Sequence, residues 1–313
     1  MRMSPLFHAA PTDLSDYMES EFDKALRQTA ELMEQELTSF LPENEGLEKQ
    51  LYKAMRYAVL AGGKRLRAFL VIQSADLFSV PRQHATRVAA ALELVHCYSL
   101  IHDDLPCMDD DDYRRGVPTV HKKFDEATAV LAGDALQSLA FSILADPQTH
   151  SSAEVRISLT AKLARAIGIK GMVGGQTMDM YASADDIDII TITRLQQLKT
   201  GALITFACEA GAVLGHASPP QVHALKAFAH DLGLAFQITD DILDKEGTAE
   251  VMGKAVQKDG KAGKATFVSL MGLEDAKIHA FMLAEQAADH LDIFGPKADL
   301  LRDAAAFTIK RKK

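Results

Sequence analysis

The run Val88-Ala89-Ala90-Ala91-Leu92-Glu93-Leu94-Val95-His96-Cys97-Tyr98-Ser99-Leu100-Ile101 passes without a break into His102-Asp103-Asp104-Leu105-Pro106-Cys107-Met108-Asp109-Asp110-Asp111-Asp112-Tyr113-Arg114-Arg115-Gly116. Its first half predicts a helix over about residues 87–104, in which Ala89, Leu92, Leu94, Val95, Cys97, Tyr98, Leu100 and Ile101 cover nearly the whole circumference. A helix apolar all round is buried on most faces. Pro106 clashes with the carbonyl four residues back, so the helix stops near Asp104 or Leu105. Six carboxylates then fall within ten residues, Asp103 to Asp112. A helix C-terminus carries a partial charge of roughly −0.5, so anions there are repelled. Bound cation is the simplest relief. Carboxylates select hard ions such as Mg²⁺, and Mg²⁺ commonly brings a phosphate with it. Taken alone, the stretch also reads as a solvated acidic loop. It lacks the central Gly and closing Glu of an EF-hand calcium loop.

A second acidic helix end shifts the balance. A helix over about residues 221–245 finishes in Phe236-Gln237-Ile238-Thr239-Asp240-Asp241-Ile242-Leu243-Asp244. Asp240 and Asp244 are one helical turn apart and share a face, with Asp241 beside them. Two apolar helices ending in stacked carboxylates make coincidence a poor explanation. Lys254, Lys258, Lys261 and Lys264 follow in a glycine-punctuated loop suited to covering a phosphate, and the chain ends Ile309-Lys310-Arg311-Lys312-Lys313, a basic tail.

Apolar residues recur at i, i+3, i+4 throughout, and alternating β-branched runs are scarce, so the chain reads as all-α. Its 313 residues hold no Pro/Gly/Ser linker, low-complexity run or clear repeat, which favours one large domain over residues 1–313. A net charge of −9 argues against a nucleic-acid partner, which requires a basic face. Cys97, Cys107 and Cys208 show no metal-ligand spacing, and an odd count fits reduced thiols in a cytoplasm. Met1 to Pro11 lacks the apolar core of a signal peptide. No stretch of about 20 residues reads as apolar enough to span a membrane. The expectation is a soluble, cytoplasmic protein.

Asp13 or Ser15 is placed to cap a first helix running to about Phe40. A second helix covers about residues 47–60. Gly62-Gly63-Lys64-Arg65-Leu66-Arg67 then opens a third. A helix N-terminus attracts anions, yet three basic side chains there oppose the dipole unless a diphosphate is bound. The glycine spacing is wrong for a P-loop. His96 lies two turns before Asp103 on nearly the same face, closer to a ligand than His102. Arg114 and Arg115 suit phosphate oxygens, or pair with the adjacent aspartates. Helices follow over about residues 127–144 and 152–167. Gly171 to Asp179 brings three glycines into an apolar pattern, a sign of close backbone approach, with Gln176 and Asp179 supporting a site. In Lys199-Thr200-Gly201 the lysine reads either as a solvated surface residue, the usual case, or, given its apolar neighbours, as a cation directed into a cavity, the reading favoured here.

Facing aspartate clusters with Mg²⁺ and a diphosphate between them form an ionisation device. Metal and basic side chains neutralise the departing diphosphate. An allylic cation remains, protected by apolar helices that exclude water. A second basic site holds the partner that attacks it.

These residues carry a family resemblance. Asp103-Asp104 and Asp109 with Arg114-Arg115-Gly116 resemble the first aspartate-rich motif of trans-isoprenyl diphosphate synthases, with the two extra residues of the bacterial farnesyl type. Asp240-Asp241-Ile242-Leu243-Asp244 resembles the second. Gly62 to Arg67, Gly175-Gln176, Lys199-Thr200-Gly201 and Gly263-Lys264-Ala265-Thr266 are similar to the other motifs, in the family's order. The resemblance implies an all-α bundle around a deep cavity, a homodimer, and on the order of two or three Mg²⁺ ions, with Mn²⁺ able to substitute. It implies Asp103, Asp109 and Asp240 as chief metal ligands, supported by Asp104, Asp241 and Asp244. Arg114, Lys199, Thr200, Gln237 and Lys254 match positions around the allylic diphosphate. Lys64, Arg67, His96 and Arg115 match the isopentenyl diphosphate pocket. Phe267-Val268 stands where the family often has Tyr-Pro, and Gln257 where a glycine is common.

The expected reaction joins isopentenyl diphosphate head-to-tail to dimethylallyl and geranyl diphosphates, giving mainly farnesyl diphosphate. Geranyl and geranylgeranyl products, a non-catalytic partner subunit and a terpene cyclase are the alternatives. Both aspartate motifs are complete, unlike those expected of a non-catalytic subunit, and Lys64, Arg67 and Arg115 favour two diphosphates over a cyclase. Ser99 lies one turn before Asp103 on nearly the same face. Tyr98 lies about 7.5 Å back along the axis but roughly 140° round, so geometry alone leaves its ring unplaced. In the family an aromatic residue five places before the motif is typical of a floor that stops elongation. Leu139 and Phe141 are other residues able to close the cavity.

Overall fold

The computed structural model describes residues 20–181, 187–246 and 265–311. Lys254, Gln257, Lys258, Lys261, Lys264, Lys312, Lys313 and the proposed caps Asp13 and Ser15 lie outside the described residues. The described chain is helical apart from one two-stranded hairpin. Its helices are α1 (Glu21–Phe40), α2 (Lys49–Val59), α3 (Leu66–Asp76), α4 (Arg82–Asp103), α5 (Val120–Lys123), α6 (Glu126–Ala145), α7 (Ala153–Ile167), α8 (Met172–Tyr181), α9 (Ile189–Gln196), α10 (Ala202–Leu214), α11 (Pro219–Glu246), α12 (Phe267–Met271), α13 (Leu273–Asp289) and α14 (Asp299–Lys310). The hairpin pairs β1 (Tyr113–Arg114) with β2 (Val117–Pro118).

Helix α4 sits at the centre, as its composition requires. It packs against α1, α2, α3, α6 and α10, and its residues from Ala85 to Val95 are all buried. Each Leu or Val so enclosed contributes about 1.5–3 kcal/mol of transfer free energy. A second apolar cluster joins α11 to α12 and α13 through Leu234, Ile238, Ile242, Phe267, Ala280 and Leu283. Helix α11 thus shares the main core with α4 through Leu225, Phe228 and Leu232, and its acidic end is held by the second cluster.

Several boundaries differ from the sequence expectation. Helix α1 begins at Glu21, because the Ser20 side chain accepts the Asp23 N–H at 3.0 Å and supplies the cap. Between α9 and α10 the chain makes a π-helical turn, Gln197–Gly201, that the sequence pattern did not indicate. The region after Thr266 forms α12 to α14, which no motif had foreshadowed. Finally, α6 is long and apolar enough to cross a membrane by length and composition, contrary to the expectation that no stretch was. It is docked on α4 and α7, with Leu136, Ala140 and Leu144 buried.

Helices α3 and α10 meet backbone to backbone at Gly211. A Cβ there would lie 2.4 Å from the Ser74 carbonyl carbon and 2.5 Å from the Ala75 nitrogen. Neither is the end of a flexible side chain, so the helices themselves would have to part. Gly211→Ala is therefore expected to destabilise the protein by about 1–3 kcal/mol, the cost of overpacking a tight core. The measurement is the urea midpoint of variant against wild type, and an unchanged midpoint contradicts the close approach.

Candidate functional site

At the end of α4 the chain folds back on itself. The Asp109 N–H donates to the Asp103 carbonyl at 2.8 Å, and the Asp110 N–H donates to the Leu105 carbonyl at 3.2 Å. These bonds satisfy carbonyls that a helix end leaves open, and they draw Asp109 beside Asp103. Burial raises the Asp103 carboxyl to about 6; Asp109 and Asp104 push the same way, while Lys199 and Arg114 oppose them.

Asp104 is buried at 3 % exposure and is engaged with a different partner. It accepts Arg114 Nε at 2.8 and 2.9 Å and Arg114 Nη2 at 2.5 Å. Arg114 stands on β1, which turns into β2 through Arg115 and Gly116, both with left-handed backbone (φ 53° and 79°). Such a two-residue turn matches the twist of a hairpin. It sends the Arg115 guanidinium back to donate to the Gly62 carbonyl.

Across from the hairpin, the Gly62 to Arg67 segment divides its three cations. Lys64 Nζ lies 5.0 Å from the centroid of the Phe307 ring. Arg67 is half-buried, with Glu93 and Asp240 as well as Arg115 and Arg311 within electrostatic reach, and meets His96, Nη1 to Nε2, at 3.4 Å. Burial, with Arg67, Arg115, Arg114 and Arg65 nearby, holds the His96 imidazole well below its usual range. It is neutral at pH 7 and accepts from Arg67. Arg65 turns inward instead and pairs with Glu93, Nη1 to Oε2, at 2.9 Å. Glu93 escapes a motif-based reading. The available signal was its being the sole acidic residue of α4 before Asp103.

The π-helical turn explains Lys199. Gly175 on α8 comes so close that a Cβ would lie 2.3 Å from the Lys199 nitrogen. The bulge re-aims the lysine, whose Nζ meets Asp179 at 2.6 Å. Thr200 is half-buried in the same turn, and Gln176 is buried with no hydrogen-bond partner for either amide atom. On α11, Asp241 is buried and accepts the Phe267 N–H at 2.7 Å, which anchors α12. Asp240 meets the C-terminal tail: Arg311 Nη2 lies 2.8 Å from its Oδ1, with the guanidinium stacked 3.7 Å from the Phe236 ring centroid. Gln237 and Asp244 are half-buried on the same helix. Arg67 lies within electrostatic reach of Asp240, Glu93, Arg115 and Arg311, which ties the α11 cluster to the basic pocket.

His102 is structural. Its ring fills the notch left by Gly133 on α6, where a Cβ would be 2.0 Å away, and its Nε2 lies 3.1 Å from the Val130 carbonyl. Tyr98 is 6 % exposed and stacks edge-on against this fixed ring at 5.8 Å. Ser99 bonds the His96 carbonyl at 2.9 Å.

The donors of both clusters are carboxylate oxygens, which fit a hard divalent cation. Among the described residues, no three His, Cys, Asp or Glu side chains converge to hold a metal by themselves. Mg²⁺ takes one or two carboxylates and completes its shell with water and phosphate. A small cavity of about 40 Å³ opens beside α4, lined by Tyr57, Arg65, Glu93, His96, Asp104, Arg114 and Arg115 but not by Asp103, Asp109 or Asp240.

A family model described as polyprenyl synthetase matches residues 48–293. Farnesyl diphosphate synthase of Escherichia coli is 41 % identical over 94 % of this chain and 100 % of its own length. The chain belongs to the polyprenyl synthetase family. It is a prenyltransferase, a trans-isoprenyl diphosphate synthase. The crystal structure of an FPP/GFPP synthase from Zymomonas mobilis is similar at a TM-score of 0.84 and 48 % identity, covering 92 % of this chain and 98 % of that one. A geranyltransferase from Helicobacter pylori, complexed with magnesium and isoprenyl diphosphate, matches at a TM-score of 0.80 and 33 % identity, covering 93 % and 97 %.

The raised Asp103 carboxyl gives this synthase a pH signature. A carboxyl whose folded pKa lies above its unfolded value stabilises the fold at low pH, and that contribution is lost as pH rises. For Asp103 the window runs from about 4 to about 6. In EDTA, Asp103→Asn is expected to gain thermal stability relative to wild type between pH 4 and pH 7, by about this window. Parallel Tm profiles for the two proteins contradict the raised carboxyl.

Proposed function

We propose that this synthase is a Mg²⁺-dependent enzyme that condenses isopentenyl diphosphate head-to-tail with dimethylallyl and geranyl diphosphates, giving mainly farnesyl diphosphate. The observation that carries this reading is the pairing of two acidic helix ends with a separate cluster of cations. Asp103 and Asp109 stand together beside Lys199, while Arg67 and Arg115 surround a neutral His96.

Asp103, Asp109 and Asp240 are assigned as metal ligands, with Asp104, Asp241 and Asp244 in support. When bound, Mg²⁺ supplies Lewis-acid charge to the departing diphosphate. Arg114, Lys199, Thr200, Gln237 and Lys254 are assigned to the allylic diphosphate. The Lys199 ammonium is held by Asp179 at 2.6 Å, ready to share its protons with phosphate oxygens as negative charge builds. Lys64, Arg67, His96 and Arg115 are assigned to isopentenyl diphosphate. A neutral imidazole hydrogen-bonds without adding to the crowd of cations. The apolar walls exclude water from the allylic cation. The released diphosphate is the base that takes the final proton.

Tyr98 is proposed as the floor of the chain-elongation cavity. Its ring is buried and braced by His102, itself wedged against α6. A homodimer is proposed from the outer face of α6, where Val130 and Leu131 are exposed. The whole chain is proposed as one domain.

Purified protein incubated with geranyl and isopentenyl diphosphates and Mg²⁺ should release diphosphate and yield a fifteen-carbon product, and EDTA should abolish turnover. A cyclised hydrocarbon, or no release at all, overturns the reading. Asp103→Ala and Asp240→Ala should each lower kcat by about 10²–10³ with the fold retained. Activity within a few-fold of wild type removes that residue from the metal site. Tyr98→Ala should shift the product toward twenty carbons or longer. An unchanged product length retires Tyr98 as the floor, and a twenty-carbon wild-type product retires the farnesyl assignment.

A further inference from the structure

Glu93 is 3 % exposed, in the middle of a helix that is otherwise apolar up to His96 from Val88. A carboxylate so placed is costly unless every lone pair is used. Both oxygens are used, and on the same segment. Oε2 accepts from Arg65 Nη1 at 2.9 Å, and Oε1 accepts the Ala68 N–H at 3.2 Å, in the first turn of α3. Glu93 thus caps α3 from a neighbouring helix and neutralises the cation that leads into it.

Arg65 completes the link. Its backbone is left-handed, φ 53°, a conformation that costs an arginine roughly 1 kcal/mol or more. Its Nη2 donates to the Val59 carbonyl, the last residue of α2, at 2.5 Å. One ion pair therefore binds the end of α2, the start of α3 and the middle of α4. Lys64 and Arg67 flank Arg65 in sequence, and His96 follows Glu93 by one helical turn. Arg67 in turn touches His96 at 3.4 Å. Loop and helix are latched at two neighbouring points, one built from Glu93 and Arg65, the other from His96 and Arg67.

The three basic residues of the segment consequently have two jobs. Arg65 is spent on Glu93 and has only 6 % of its side chain exposed. Glu93 is also an anion felt by both Arg67 and Arg115. It lets those cations gather before any diphosphate arrives.

We propose that Glu93, acting through Arg65, is a positioning residue for the isopentenyl diphosphate pocket: it sets the register of residues 62–67 against α4 so that Lys64 and Arg67 converge with His96 and Arg115 on one diphosphate. This rests on the assignment of that pocket under the proposed function. A positional fault there should be felt by isopentenyl diphosphate and not by the allylic substrate, which the aspartate ends and Lys199 hold.

The test compares steady-state constants for both substrates in wild type, Glu93→Gln, the double variant Arg65→Met/Glu93→Met and the control Arg67→Ala. Glu93→Gln leaves Arg65 buried without its charge partner and is at risk of misfolding. Removing both charges together is often tolerated, so the double variant keeps the test open. Expected is a rise in KM for isopentenyl diphosphate of about tenfold or more in both Glu93 variants, with KM for geranyl diphosphate changed by less than about threefold. The thermal midpoint of the double variant should stay near that of wild type. Equal rises in both KM values, or collapse of the fold in both variants, means a merely structural pair and overturns the inference. An unchanged KM in a folded Glu93 variant overturns it too. If Arg67→Ala also leaves KM for isopentenyl diphosphate unchanged, the pocket assignment itself is wrong.

Discussion

Crowded negative charge at the ends of two buried helices is the constraint on which the rest of this molecule depends. Helices α4 and α11 are fixed by apolar cores, so their carboxylates cannot retreat into solvent by moving the helix. The protein meets the charge with basic side chains brought from elsewhere in the chain. Arg114 comes from the hairpin to Asp104, and Arg311 from the C-terminus to Asp240. Lys199 lies within reach of Asp103 while bonded to Asp179. What remains is a carboxyl at Asp103 raised to about 6. Such a group has much to gain from a divalent cation, and metal binding is accordingly coupled to loss of a proton.

Under the proposed function, the same cations are those a diphosphate would engage. Arg114 and Lys199 are held by carboxylates through charge-assisted hydrogen bonds of 2.5–2.9 Å. Exchanging a carboxylate for a phosphate oxygen keeps the geometry of such bonds and changes only the partner. A site built from ion pairs can therefore stay ordered before the substrate arrives. The basic pocket around His96 solves the opposite problem, an excess of positive charge. There the balance comes from a neutral imidazole and from Glu93, buried in the central helix. Deeper in α4, Tyr98 packs edge-on against His102, whose ring is wedged against α6.

Much of this was legible in the sequence. An apolar run with no polar face, as from Val88 to Ile101, has only one low-energy fate, burial, and proline at 106 dictates where the helix stops. Aspartates grouped at 103–112 and 240–244 raise the expectation of a cation and a phosphate, because stacked carboxylates at a helix end call for positive charge. The all-α class and the order of the principal helices to residue 246 follow from the 3.6-residue period. These are local properties, written in neighbouring residues, and local physics suffices to read them.

Tertiary structure alone decided which neighbour each charged side chain takes. Arg65, Lys64 and Arg67 are equivalent in sequence terms, yet Arg65 is buried on Glu93, Lys64 lies over the Phe307 ring and Arg67 reaches His96. Asp103 and Asp104 are adjacent, but successive positions of a helix end point in different directions, one toward Lys199 and the other to Arg114. The π-helical turn at Lys199 arises from the close approach of α8, a contact between residues far apart in the chain. Helices α12 to α14 lacked motifs and owe their placement to packing on α11. Side-chain partnership is a property of three-dimensional proximity under low dielectric, where a few ångströms separate a stabilising pair from a costly charge. Spacing along the chain identifies the residues capable of such a choice, and the packed fold makes it.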